Sequence, residues 1–398
     1  MEQVLNSFIF NNPTKIFFGA GKLEMLHTEP LPGKKALLLT SAGSSYRKNG
    51  SFDKTIEELV KSGIEYVHLG NVHENPLKES CEEAGRFAKE SGCDMIVALG
   101  GGAVLDSAVP AAIMATNDGD LWDYIDGGSG KGLIAPNQPL PIVTIATTSG
   151  TGSEINECAV ISREDTKEKI GMSDRRCKPV LAIVDPIYMC SVPPIYTAYQ
   201  GFDAFFHHAE VMMSTRCNMM SEMVALTAIG ELWKYLPIAV EHGDDLDARE
   251  HVAFAATLGG ISMQLTRITA QHSIEHAMSA YHRNIQHGAG LLMISDEFAK
   301  FFIERRVADE RFIKMARVMG CENTCDPYDY LRALDMFKKK CGVSQLSMKE
   351  YGLKEDEFYP MAEAARVLQG GGYSVCPCEL TDDDVVGILE RSFEKGVA

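Results

Sequence analysis

The chain has 398 residues, enough for two or three domains. Apolar residues make up 45% and charged residues 23%, an ordinary globular balance that excludes a disordered or collagen-like chain. The net charge of −17 repels a phosphate backbone and argues against a general nucleic-acid binder, although amides at a helix N-terminus still suit a cofactor phosphate.

In chain order, Glu2, Asn6, Asn11 and Asn12 interrupt the apolar core that a signal peptide needs. No run reaches the ~18 consecutive apolar residues of a membrane span. The expectation is a cytoplasmic protein with no membrane partner. Its eleven cysteines are then reduced and structural. Cys321 and Cys325, and Cys376 and Cys378, lack a matching pair at zinc-site spacing.

Short apolar runs at Ala36–Thr40, Tyr66–Leu69, Met95–Leu99, Ile142–Ala146 and Leu181–Val184 read as buried parallel strands. Helical patterns lie between them at Phe52–Ser62 and Leu77–Ser91. This alternation predicts an α/β domain over residues 1–185. Beyond Asp185-Pro186 long helical patterns take over, including Ala204–Ser214, Met220–Val240, Ala248–Leu265, Ala362–Leu368 and Asp382–Phe393. Residues 186–398 are therefore expected to form an all-α domain.

Two polar turns follow strands of the first half. Gly100 to Asp106 reads GGGAVLD, after MIVAL and before a helix-like run at Ser107–Ala115, in which Pro110 counts against a regular helix. Glycines let the backbone approach a pyrophosphate, and the next helix offers free N–H groups. The spacing is not GxGxxG, so a plain strand–helix turn is an equal reading. Thr147 to Glu154, TTSGTGSE, suits a ribose, a phosphate or a nicotinamide amide, or else a helix cap. Parallel strands would put both turns on one sheet edge.

The second half concentrates histidine. Asp203 and His207 in GFDAFFHHAE, and His272 and His276 in QHSIEHAMSAYH, share the i, i+4 spacing of one helix face, and His287 follows in QHGAGL. One carboxylate with imidazoles is a ligand set for Zn or Fe; an ion pair on a helix surface is the ordinary alternative. With a dinucleotide site, the set suggests hydride transfer at a hydroxyl or carbonyl carbon. His276 is the candidate to relay the alcohol proton.

From Phe8 to Ser392 the sequence resembles the iron-containing (group III) alcohol dehydrogenases. The resemblance is carried by NNPTKIFFGAGK, GGGAVLD, TTSGTGSE, AIVDPIYMCSVPP, GFDAFFHHAE and QHSIEHAMSAYHRNIQHGAGL, in that order. It implies a dehydroquinate synthase-like fold: an N-terminal dinucleotide-binding α/β domain, an all-α C-terminal domain and an active cleft between them. It implies one divalent metal, Fe2+ or Zn2+, on Asp203, His207, His272 and His287, with His276 near the nicotinamide. It implies cofactor contacts at Gly101, Gly102, Ala103, Asp106, Thr147, Thr148 and Thr151, at Asn75 in ENPLKE and at Lys169 in TKEKIGM. It also implies a homodimer acting on small primary alcohols and aldehydes. Ala103 stands where the family often has serine and Val109 where lysine is common. The interval from His272 to His287 is slightly long, and the loop Ala280–Gln286 absorbs the excess.

The strand ALLLT runs into SAGSSYRKNG, which has no acidic residue to bind a ribose 2′-hydroxyl and repel a 2′-phosphate. With Ser44, Ser45 and Arg47 nearby, this points to NADP(H) over NAD(H), and the stretch resembles the corresponding turn of the family's NADPH-using aldehyde reductases. Phe205, Phe206, Tyr281 and Met263 line the cleft for an alkyl chain, or else are helix core. Polyol oxidation of the glycerol dehydrogenase kind is the alternative reaction. A dehydroquinate synthase would need more cations than Arg267 and Arg283 around the metal, and a non-catalytic nucleotide binder would have lost part of the ligand set.

Overall fold

Val-, Ile- and Leu-rich runs bury both faces most easily in the middle of a parallel sheet. In the computed structural model, which describes residues 7–395, they do so; Glu2 and Asn6 lie outside the described residues. The strands are β1 (Lys15–Phe18), β2 (Lys35–Ser41), β3 (Glu65–Val72), β4 (Met95–Gly100), β5 (Ile142–Ala146), β6 (Cys158–Arg163), β7 (Glu168–Ser173) and β8 (Leu181–Val184). Six of them form one sheet in the order β1-β8-β5-β4-β2-β3, every pair parallel. Every residue of β4 and β5 is buried, as central parallel strands require.

Around this sheet run α1 (Ser45–Lys48), α2 (Ser51–Lys61), α3 (Lys78–Glu90) and α4 (Gly102–Met114). Helix α4 starts earlier than the expected Ser107 and continues through Pro110. A proline inside a helix costs about 3 kcal/mol. Each fully buried Val, Leu or Ile side chain returns about 1.5–3 kcal/mol, and α4 is buried from Val104 through Met114. Burial wins over propensity. The antiparallel hairpin β6–β7 was not expected; its turn, EDTK, and flanking charges resemble an exposed helix in sequence.

The helical part comprises α5 (Pro194–Met213), α6 (Met219–Glu241), α7 (Leu246–Leu265), α8 (Gln271–Tyr281), α9 (His287–Glu304), α10 (Asp309–Val318), α11 (Asp329–Lys340), α12 (Phe358–Tyr373) and α13 (Asp382–Lys395). By length and composition α6 is apolar enough to cross a membrane, but Ala225, Ile229, Leu232 and Leu236 on it belong to the core shared with α5 and α7. Phe205 and Phe206 are fully buried in that core, beside Phe202, Tyr330 and Phe337, so they are packing residues rather than a substrate lining. The cysteines form no disulfide among the described residues.

The described residues divide into two compact units, one of residues 11–192 and one of residues 193–395 with residues 7–10. The segment after Asp185-Pro186 stays with the α/β unit for a local reason. Asp185 accepts N–H bonds from Gly21, Leu23 and Ile187, and the Tyr188 carbonyl accepts from Asn49.

Candidate metal centre and cofactor loops

Helix α5 places Asp203 and His207 one turn apart on one face, and α8 does the same for His272 and His276. His287 is the first residue of α9. What brings it near α5 is the glycine after it: a Cβ on Gly288 would sit 2.1 Å from the Tyr199 carbonyl oxygen. No other residue permits that approach of helix to backbone.

Around Asp203 Oδ1 lie His272 Nε2 at 3.4 Å, His287 Nε2 at 3.4 Å and His207 Nε2 at 3.6 Å. Asp203, His207 and His272 are buried, and His287 is partly so. Ligand atoms held about 2.0–2.1 Å from a tetrahedral ion stand roughly 3.4 Å from one another. The three distances to Asp203 Oδ1 suit ligands of one divalent cation; by mutual spacing Asp203, His207 and His272 form one compact group and Glu275, His276 and His287 a second beside it.

The outer contacts say the same. His272 Nδ1 is hydrogen-bonded to Glu210 and His287 Nδ1 to Glu275, both glutamates being fully buried. An imidazole that donates Nδ1–H to a carboxylate presents an Nε2 lone pair, here toward another acceptor, Asp203 Oδ1. Acceptor facing acceptor is stable only with a cation or extra protons between them. Burial opposes charge on His272 and His287, but the neighbouring carboxylates outweigh it and raise both pKa values. Burial likewise opposes ionisation of Asp203, and the surrounding imidazoles outweigh that, holding its carboxyl well below the usual range. Burial pushes His207 down to about 3, so it remains a neutral ligand type, and its Nδ1 has no hydrogen-bond partner among the described residues.

Of the expected quartet, each histidine thus has its Nε2 within 3.6 Å of Asp203 Oδ1. His276 lies beside the quartet, its ring centroid 5.3 Å from that of His287 and 6.3 Å from that of His272. Glu210 and Glu275 were missed by sequence reasoning. Their only signal is position: Glu210 lies within one turn of His207, and Glu275 within one turn of His272. His208 is buried away from the set, bonded to the Ala255 carbonyl and near Ser262 Oγ.

In the α/β unit the two polar turns follow β4 and β5, which are neighbours in the sheet. Thr147 N–H donates to the Gly100 carbonyl at 2.9 Å. A Cβ on Gly102 would lie 2.4 Å from Thr151 Cγ2, and one on Gly101 2.9 Å from Thr148 Cγ2. The glycine turn and the threonine turn therefore pack directly on each other, beside the N-terminus of α4, whose first N–H groups lack intrahelical acceptors. Asp106 accepts from Val160 N at 2.9 Å and so ties α4 to the hairpin. Lys169 is buried on β7, and Ala103 lies in the first turn of α4. Asn75 takes a left-handed conformation, φ 53°, in the turn after β3. Ser44 and Ser45 are exposed at the start of α1, and the Arg47 guanidinium lies over the Phe52 ring, 4.1 Å from its centroid.

Gly102→Ala is expected to weaken nicotinamide dinucleotide binding about 10- to 100-fold, since overpacking here displaces Thr151 at a cost of roughly 1–3 kcal/mol. A fluorescence titration with NADH and NADPH reads it; unchanged affinity for both would remove this turn from the cofactor site.

A parallel-sheet unit with glycine and threonine turns at its strand ends, and a helical unit carrying a cluster of one aspartate and three histidines, define a metal-dependent dinucleotide enzyme. The model for iron-containing alcohol dehydrogenase matches residues 13–186, and that for the C-terminal part of the Fe-containing alcohol dehydrogenase family matches residues 197–393. The chain belongs to the iron-containing alcohol dehydrogenase family and is an oxidoreductase of that type. It is 30% identical to the 1,3-propanediol dehydrogenase of Klebsiella pneumoniae, over 96% of this chain and 97% of that one. It is 28% identical to the NADH-dependent butanol dehydrogenase A of Clostridium acetobutylicum, over 97% of this chain and 100% of that one. Its fold is similar to that of an archaeal halo-thermophilic alcohol dehydrogenase from a Red Sea brine pool, with a TM-score of 0.92 and 30% identity over 98% of this chain and all of the other.

Proposed function

We propose that the protein interconverts small primary alcohols and their aldehydes at an Fe2+ centre on Asp203, His207, His272 and His287. The observation that carries this is three imidazole nitrogens within 3.4–3.6 Å of one carboxylate oxygen, with two buried glutamates behind them. When bound, the ion supplies Lewis acidity and the nicotinamide a hydride donor or acceptor. Glu210 and Glu275 orient two of the imidazoles, and His276 meets the substrate oxygen beside the ligand set. The relatives named for butanol and 1,3-propanediol support this substrate class.

For the cofactor, the turn SAGSSYRKNG carries no acidic side chain against a 2′-phosphate, which favours NADP(H). The Clostridium relative is named for NADH and gives that preference no support. The test is oxidation of NADPH and NADH with butanal, on protein stripped of metal and reloaded anaerobically with Fe2+ or Zn2+. Metal-dependent turnover, at least as fast with NADPH, is the expected result. Faster turnover with NADH would overturn the reading of the turn. No turnover of butanal, butanol or 1,3-propanediol with either cofactor would overturn the substrate class and direct the search to other polyols.

A further inference from the structure

His276 makes a contact that neither the ligand set nor the proton relay requires. Its Nδ1 is hydrogen-bonded at 2.5 Å to the side-chain amide nitrogen of Gln369. Gln369 comes from the far end of α12, where the helix breaks: its own φ and ψ are −135° and 36°. The break is built against the segment leading into α8. A Cβ on Gly372 would lie 2.7 Å from the Thr269 carbonyl oxygen, and Ser273 Oγ donates to the Gln369 carbonyl at 3.1 Å. The run QGGGY therefore holds α12 against α8 at the place where Gln369 reaches His276.

An amide nitrogen is a donor only. A ring nitrogen that accepts its hydrogen carries no proton, so the proton of the neutral imidazole lies on Nε2. We propose that Gln369 is a positioning residue that fixes His276 as a hydrogen-bond donor, rather than a proton acceptor, toward the substrate oxygen. This rests on the reading that His276 meets that oxygen. In the Nε2–H form the ring polarises a carbonyl oxygen, but it has no lone pair at Nε2 for an alcohol proton. When the alcohol O–H bond breaks, its proton passes to water. The relay expected from sequence would need the opposite tautomer, with Nδ1–H donating to the amide oxygen of a turned Gln369.

The test is long-range proton–nitrogen NMR of 15N-histidine-labelled, Zn2+-loaded protein, with His276→Asn assigning the resonance. The wild-type ring is expected to show a bare Nδ1 and a protonated Nε2. In Gln369→Glu, whose carboxylate can only accept, the proton should move to Nδ1. In Gln369→Ala the two forms should mix, and kcat with butanal should fall about 10- to 100-fold at nearly constant KM, the range seen when an orienting partner is lost. Gln369 is partly exposed, so these changes are expected to spare the fold. A protonated Nδ1 in the wild type, or a tautomer unchanged in Gln369→Ala, overturns the proposal. The tautomer is read without substrate, so a bare Nδ1 in a protein inactive toward alcohols would sink the functional reading separately.

Discussion

Asp203→Asn is expected to abolish stoichiometric metal binding and to lower kcat by about 10³- to 10⁴-fold, the equivalent of several kcal/mol of lost Lewis-acid stabilisation. The substitution is nearly isosteric, so the fold should survive. Its effect is chemical. All three Nε2 atoms converge on Asp203 Oδ1, so this carboxylate supplies the only formal negative charge among the four expected ligands. A neutral amide removes that charge and can turn an N–H toward the imidazoles. Metal content by elemental analysis, turnover with butanal and a thermal melt form the check. A variant that keeps one metal per chain and full turnover would exclude Asp203 as a ligand.

Glu210→Gln should be the larger surprise to a reader of the sequence alone. The Glu210 carboxylate is fully buried and accepts three bonds: from His272 Nδ1, from Thr269 Oγ1 at 3.0 Å and from the Gln271 N–H at 3.1 Å. A glutamine offers one acceptor oxygen. If that oxygen serves His272, its NH2 faces the donors Thr269 and Gln271; if it serves those, the NH2 faces Nδ1. Either way a buried donor loses its partner, at about 1–3 kcal/mol. Metal affinity should weaken about 10- to 100-fold, the usual penalty for losing an outer carboxylate. A competition titration with a chelator measures the affinity, and a melt of the metal-free protein measures the stability. Unchanged affinity would reduce Glu210 to a structural anchor for α8.

These two residues mark where the sequence was readable. The i, i+4 period marked two pairs, Asp203 with His207 and His272 with His276, without any knowledge of packing, whereas the choice of His287 over His276 as the fourth ligand came from the family resemblance. Glu210 was not legible, because a glutamate on a helix looks like a solvated charge until the helix is seen to be buried on that side. The central strands were legible from their unbroken apolar runs, whereas the hairpin β6–β7 was hidden by short strands and a charged turn. Helix α4 was half legible. Its small apolar residues announced burial, but Pro110 argued locally against a helix that tertiary packing then enforced. Phe205 and Phe206 were ambiguous by nature, since aromatic side chains suit a substrate wall and a core equally well. Gln369 gave no signal, because its role depends on a helix break formed against a distant segment.

The order of strands also governs how the α/β unit is assembled. Strand β1 has a single neighbour in the sheet, β8, and their pairing joins Lys15 to Leu181 and Phe18 to Val184. Strand β1, which precedes the other strands among the described residues, is thus among the last to be zipped into place, after the intervening strands have been made. A pairing so remote along the chain carries a large loop-closure cost and slows folding. Asp185 is the latch on that event: directly after β8, it accepts the N–H groups of Gly21 and Leu23, just beyond β1. Until it emerges, the nascent unit exposes β8's future slot as an open sheet edge, which is where premature association with another chain would begin.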